Sequence, residues 1–157
     1  MTPTPAASAV IVVAVAKLRD AGVPTETRVA TLRGAFGRTK YRAAGEVWRV
    51  GALCLADDGA VFATGDVLIV TEPTHPNHRN ALAVERNDRR AQLRRAGIAA
   101  GTTVVVDARP LDLDAPEPPL VATADGLGVF WAVGATPVPL DAYLAERVEL
   151  LVHPHPP

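Results

Sequence analysis

Cysteine is almost missing from this chain: Cys54 is the only one in 157 residues. No internal disulfide framework is possible, which fits a reducing compartment. Serine is as scarce, with Ser8 alone, and lysine is confined to Lys17 and Lys40. Alanine, valine, arginine and proline are abundant instead, the usage of a GC-rich genome. The longest apolar run, Ala6 to Ala16, is too short to span a bilayer. No basic residue precedes it, as a secretory signal requires. A cytoplasmic protein with no membrane partner is therefore expected. No phosphate-loop or dinucleotide fingerprint occurs, no EF-hand spacing is present, and no repeat is visible.

What is present centres on Glu46 to Thr71. Two β-rich runs flank Asp58-Gly59, the signal of a two-residue type I′ hairpin turn. In that register Asp57 faces Ala60. Cys54/Ala63, Val50/Val67 and Trp48/Ile69 then share an apolar face, the expected core side. The other face carries Leu55/Phe62, Arg49/Leu68 and Val47/Val70. There Arg49 and Asp66 are diagonal neighbours within reach of an ion pair. Cys54 sits mid-strand on the core side and reads as a small buried hydrophobe.

Charge is uneven. Residues 1–99 carry 14 basic and 9 acidic side chains, while residues 100–157 carry 2 and 8. Such asymmetry points to an anionic partner for the first part, or to attraction between the two parts. The basic excess concentrates in 27–45, where Arg28, Arg33, Arg38, Lys40 and Arg42 occur with no acid. Phe36 and Tyr41 interleave with them, and Gly34 and Gly37 loosen the backbone. That mixture can hold phosphates or carboxylates or track a nucleic-acid backbone.

Three helices are expected. Thr4-Pro5 starts one that runs from Pro5 to Ala21 and is closed by Gly22. Being apolar on nearly all sides, it should be deeply packed or face another subunit. Asn80 caps a second, strongly charged helix ending near Ala96 before Gly97. Leu140 to Val152 is amphipathic, with Leu140, Leu144, Val148 and Leu151 on one side and Tyr143 beside them. Thr102 to Arg109 reads as a strand. Leu120 to Ala124 and Leu127 to Val133 read as a second hairpin around Asp125-Gly126, with Leu120 facing Trp131. The expected fold is a single α+β domain over 1–157. It has an antiparallel sheet of about five strands, built from two hairpins plus a strand, with about three helices packed on it.

The runs GEVWRVGALCL, ATGDV and PLDAYLAERVELL resemble a set of small uncharacterised proteins of high-GC bacteria, some loosely labelled glutaminase. The likeness covers most of the chain. Glutaminase-like serine amidohydrolases use a Ser-x-x-Lys arrangement. Ser8 has no lysine at that offset, so the resemblance carries no chemistry across.

Three functional readings follow. In the first, the segment Arg33 to Arg42 and the loop Thr74 to Arg79 converge beside the hairpin and bind a small anionic metabolite. Its ligand-binding residues would be Arg33, Arg38, Lys40, Arg42, Arg49, Asp66, Asn77 and Arg79, with His75 or His78 as acid or base. Two histidines three apart lack a third ligand nearby, and His153 and His155 lie in a frayed tail. No metal and no cofactor is expected. In the second reading the basic segment and the arginine-rich helix bind nucleic acid, which the net charge of −1 does not favour. In the third, the chain is a structural or interaction protein forming a homodimer through its apolar first helix.

Overall fold

The computed structural model describes residues 4–70 and 81–156. The chain forms two compact units. The first gathers residues 1–25, 46–64 and 109–157; the second gathers 26–45 and 65–108. The helices are α1 (Thr4–Asp20), α2 (Ala81–Arg95) and α3 (Leu140–Val152). Among the described residues no helix is long and apolar enough to cross a membrane.

In the first unit, α1 buries the stripe Ala7, Ile11, Ala14, Val15 and Leu18, a spacing that keeps one helical face inward. Burying Ile11, Val15 and Leu18 contributes about 1.5–3 kcal/mol each over leaving them exposed. The helix stops as the sequence predicts. Gly22 takes φ +67, Gly22 N–H donates to the Arg19 carbonyl and Val23 N–H to that of Leu18. This paired closure lets Val23 pack against the core beneath Leu18. Trp48 is buried, and its indole N–H donates to the Val23 carbonyl at 2.8 Å.

The strands of this unit depart from the expected long hairpin. The second half of β2 (Thr39–Val50), then β3 (Leu53–Ala56) and β4 (Val61–Ala63), form a tight meander. Val50 pairs with Leu53, so the chain already reverses at Gly51-Ala52. Gly51 has φ +73, which suits the first central position of a two-residue turn. The next reversal is a three-residue loop, Asp57 to Gly59. Gly59 N–H donates to the Ala56 carbonyl, and Ala56 N–H to that of Ala60. Of the three loop residues only Gly59 has positive φ, at +88. A type I′ turn needs positive φ at both central residues, and the longer loop does not. The register shifts accordingly: Cys54 faces Phe62 and not Ala63. Leu53, Cys54 and Leu55 are all fully buried, so β3 is covered on both faces. This is why LCL reads as a continuous apolar run and not an alternation.

Strand β7 (Arg109–Leu111) pairs with β4, setting Pro110 opposite Phe62. It ends the strand order, where a residue without an N–H is tolerated. A separate small sheet holds β8 (Leu120–Thr123), β9 (Gly126–Val129) and β10 (Val138–Pro139). Its hairpin turns at Ala124-Asp125, and Leu120 faces Val129, not Trp131. The slip is two residues, which preserves the inward face. Leu120, Leu127 and Val129 are buried while Trp131 is exposed.

The second unit orders its strands β5 (Asp66–Ile69), β6 (Thr103–Val106), β1 (Glu26–Arg33) and the first half of β2. β5 and β6 are antiparallel and β1 and β6 are parallel. Its core joins Val29, Val70, Leu93, Ile98, Val104 and Val106, with Tyr41 and Leu68 packed alongside. Helix α2 closes with the same device as α1. Gly97 has φ +88, Gly97 N–H donates to Arg94 and Ile98 N–H to Leu93, and the Leu93–Ile98 apolar pair is buried.

The α+β class with three helices thus stands, and the five-stranded antiparallel sheet does not. Among the described residues seven strands form a mixed sheet and three form another. The basic segment 27–45, with its loosening glycines, is a β-hairpin. Of the run expected to pair with Glu46–Ala56, β4 does pair with β3, but β5 pairs with β6, because burial of Val104 and Val106 beside Val29 requires β6 to lie between β5 and β1.

Candidate functional site

The charge asymmetry of the sequence is sharper when sorted by unit. The second unit carries 11 Lys/Arg against 6 Asp/Glu, net +5, and the first carries 5 against 11, net −6. In the first unit at least three of the five cations engage a side chain. Arg19 pairs with Asp57 (Nε to Oδ1, 2.8 Å), Arg109 pairs with Glu117, and Arg147 lies over the Tyr143 ring at 5.4 Å.

In the second unit the hairpin of β1 and β2 carries Arg33, Arg38, Lys40 and Arg42, all exposed. Among the described residues none of these four side chains has an ion pair or hydrogen bond. Strand alternation divides them. Val29 and Tyr41 point to the core, so Lys40 and Arg42 point to the opposite face. Arg28 joins them there, since it aligns with Val105 and Val67 across the sheet, and its guanidinium donates to the Ala44 carbonyl at 2.5 Å. The same alternation places Leu32, Val67 and Ile69 on this face, and all three are exposed. Arg33, exposed at the end of β1, falls on the core side by the same alternation, and Arg38 lies in the turn.

The turn itself is unusual. Gly34 N–H donates to the Arg38 carbonyl at 2.7 Å, closing a loop whose apex is Phe36. Phe36 has φ 64 and ψ 28, the left-handed region that costs a side-chain-bearing residue about 1–2 kcal/mol. Its ring is fully exposed. The stem of Lys40 passes over Gly34, where a Cβ would sit 3.4 Å from Lys40 Cε.

On the helix side of the same sheet, Arg89 of α2 reaches two strands. Its Nε donates to the Tyr41 hydroxyl and its Nη2 to Asp66 Oδ2, both at 3.3 Å. Burial works against the Arg89 charge, but the hydrogen bond and field of Tyr41, and then Asp66, outweigh it and raise its pKa above the ordinary arginine value. Arg90 Nε is buried without a hydrogen-bond partner among the described residues.

The expected site residues therefore separate. Lys40 and Arg42 share one sheet face, and Arg33 and Arg38 sit nearer the tip. Asp66 is held by Arg89 and not by Arg49. Arg49 belongs to the first unit, where it faces Cys54. His75, His78, Asn77 and Arg79 lie outside the described residues. The reading from sequence missed Arg89 as a clamp and Leu32, Val67 and Ile69 as open apolar positions. The alternation in ETRVATLR was the available signal, masked by the neighbouring glycines. Cys54 is fully buried, with Sγ 3.4 Å from Thr64 Oγ1. Among the described residues no group of three or more His, Cys, Asp or Glu could hold a metal ion.

No protein-family model, no curated protein and no solved structure matches this chain.

Proposed function

We propose that the basic unit binds a small anionic metabolite, carrying phosphate or carboxylate, with Lys40 and Arg42 as its principal cations. One observation carries this reading: four exposed cations on one hairpin have no side-chain partner among the described residues, while Arg19 and Arg109 of the other unit are paired. Like charges on one face, as Lys40 and Arg42 are, lose their mutual repulsion when an anion joins them, and charge-assisted hydrogen bonds add to the gain. The aliphatic positions Leu32, Val67 and Ile69 on the same face suit a ligand with an apolar or planar body. Asn77 and Arg79 would contribute further donors, and His75 or His78 would supply acid–base chemistry. Arg33 and Arg38 would meet the ligand from the tip. Arg49 and Asp66 are withdrawn from the site, for the reasons of register given above. The protein acting in this way would be a bacterial, cytoplasmic one.

The test is thermal denaturation of the protein and its K40A/R42A variant with a panel of phosphorylated and polycarboxylate metabolites. A ligand at about 100 times its Kd should stabilise the protein by about 2.7 kcal/mol, and the variant should lose most of that gain. No shift with any compound, or equal shifts in both proteins, would refute the proposal.

Phe36 favours a second reading. An exposed aromatic ring amid cations is the arrangement on which an unpaired base stacks, so a single-stranded nucleic acid also fits the hairpin. Binding of that kind weakens steeply with salt. A flat salt dependence, or F36A binding as tightly as the unaltered chain, would remove it.

A further inference from the structure

We propose that two copies of this chain associate across a twofold axis through the groove between α1 and α3. The groove has a volume of about 270 Å³ and lies wholly within the first unit. Val10, Val13, Leu144 and Val148 make it apolar, and among the described residues Lys17 and Asp141 are its only charged lining residues. Beside it α1 presents Val12 at 63% and Val13 at 56% exposure. The helix therefore packs one apolar face and leaves another open.

The occupant follows from the charges. Lys17 and Asp141 line the same groove, yet among the described residues they form no ion pair. The Asp141 carboxylate instead accepts from Ala142 N–H at 2.8 Å. A patch with one cation, one anion and an apolar centre is complementary to itself. A twofold axis through the centre brings each Lys17 to the other copy's Asp141 and stacks the valines between them. A partner carrying net charge of one sign would satisfy only one of the two charges.

Size sets the expected strength. Helix α1, with 17 residues, is about 25 Å long, and two helices side by side are about 20 Å wide. That patch gives roughly 1,000 Å² of total buried surface, below the range of standard stable interfaces. The association should therefore be reversible and visible over micromolar concentrations.

The experiment is sedimentation velocity of the full chain from about 1 to about 200 μM. The measured proteins are the unaltered chain, K17E, D141K, an equimolar mixture of those two, and V13E. Circular dichroism of each confirms the fold. The unaltered chain should shift from monomer to dimer, and each single variant should weaken this by about tenfold or more through like-charge pairs. The mixture should recover dimer. In a mixed pair the reversed charge at position 17 of one copy meets the reversed charge at position 141 of the other, and at the second contact Lys17 still meets Asp141. Recovery in the mixture cannot come from a change within one chain. A monomer at every concentration would overturn the proposal. So would dimerisation that is indifferent to the charge reversals and to V13E. Anion binding resides in the other unit and is read separately.

Discussion

The Tyr143 hydroxyl accepts a hydrogen bond from Ala52 N–H at 2.8 Å, tying α3 to the turn between β2 and β3. Gly51, one residue earlier, leaves no room for more: a Cβ there would stand 2.2 Å from the Tyr143 oxygen. Y143F should cost about 1–2 kcal/mol, the penalty for orphaning a partly buried donor. G51A should cost more, since it adds a clash to an unfavourable φ of +73. In G51A/Y143F the closest clash, with the hydroxyl, is gone, while the ring Cζ at 3.2 Å and the backbone strain remain. The double variant should therefore lose less than the sum of the singles. Chemical denaturation of all four proteins checks this, and strict additivity would show that the two residues do not meet.

Gly65 and Gly59 offer a contrast between crowding and conformation. A Cβ at Gly65 would lie 2.0 Å from the Val106 carbonyl oxygen, whereas Gly59 has open space but φ +88. G59A should lower stability by about 1 kcal/mol. G65A should be far worse, because the backbone at Val106 cannot turn aside as a side chain can. Comparable melting temperatures for the two variants would contradict this ranking.

Arg89 should stabilise the second unit without conferring pH sensitivity. Burial works against its charge, yet Tyr41 and Asp66 raise its folded-state pKa above the ordinary arginine value, so its contribution is complete below the unfolded value and is lost only as pH climbs past the folded one. The stability difference between the unaltered chain and R89Q should stay constant from pH 6 to pH 9. With the Arg89 side chain 25% exposed and that of Asp66 74% exposed, D66N should cost less than about 1 kcal/mol. A pH-dependent difference in the R89Q melts would show that another titrating group controls the clamp.

Phe36 should separate stability from binding. Asn tolerates a left-handed backbone better than Phe does, and the exposed ring buries nothing. F36N should therefore leave the melting temperature unchanged or raise it slightly. If the hairpin stacks a base or planar ligand, the same change should weaken binding several-fold. A large loss of stability would mean that the ring is packed.

Local signals in the sequence proved sound where they rested on one residue's backbone preference. Gly22 and Gly97 end α1 and α2 as expected, and the face of α3 with Leu140, Tyr143, Leu144 and Val148 is buried. Reasoning about which strands pair was weaker. Asp58-Gly59 announces a turn but does not set its length: the single added residue shifted the β3–β4 pairs by one, and the earlier reversal at Gly51-Ala52 removed the rest. The insertion of β6 between β5 and β1 leaves no local mark, since it follows from burying Val29 with Val104 and Val106. For the candidate site, the basic segment was legible as composition. Its division between two sheet faces was not, because it depends on Val29 and Tyr41 being the inward positions.

The packing of α1 against α3 has a consequence for synthesis. About 120 residues separate the two helices, which the ribosome needs roughly 6–24 s to add. Throughout that interval Ile11, Val15 and Leu18 have emerged while Leu144 and Val148 do not yet exist. Until α3 is made the apolar stripe of α1 lacks one of its packing partners, so the yield in cells should depend on chaperones that shield such segments.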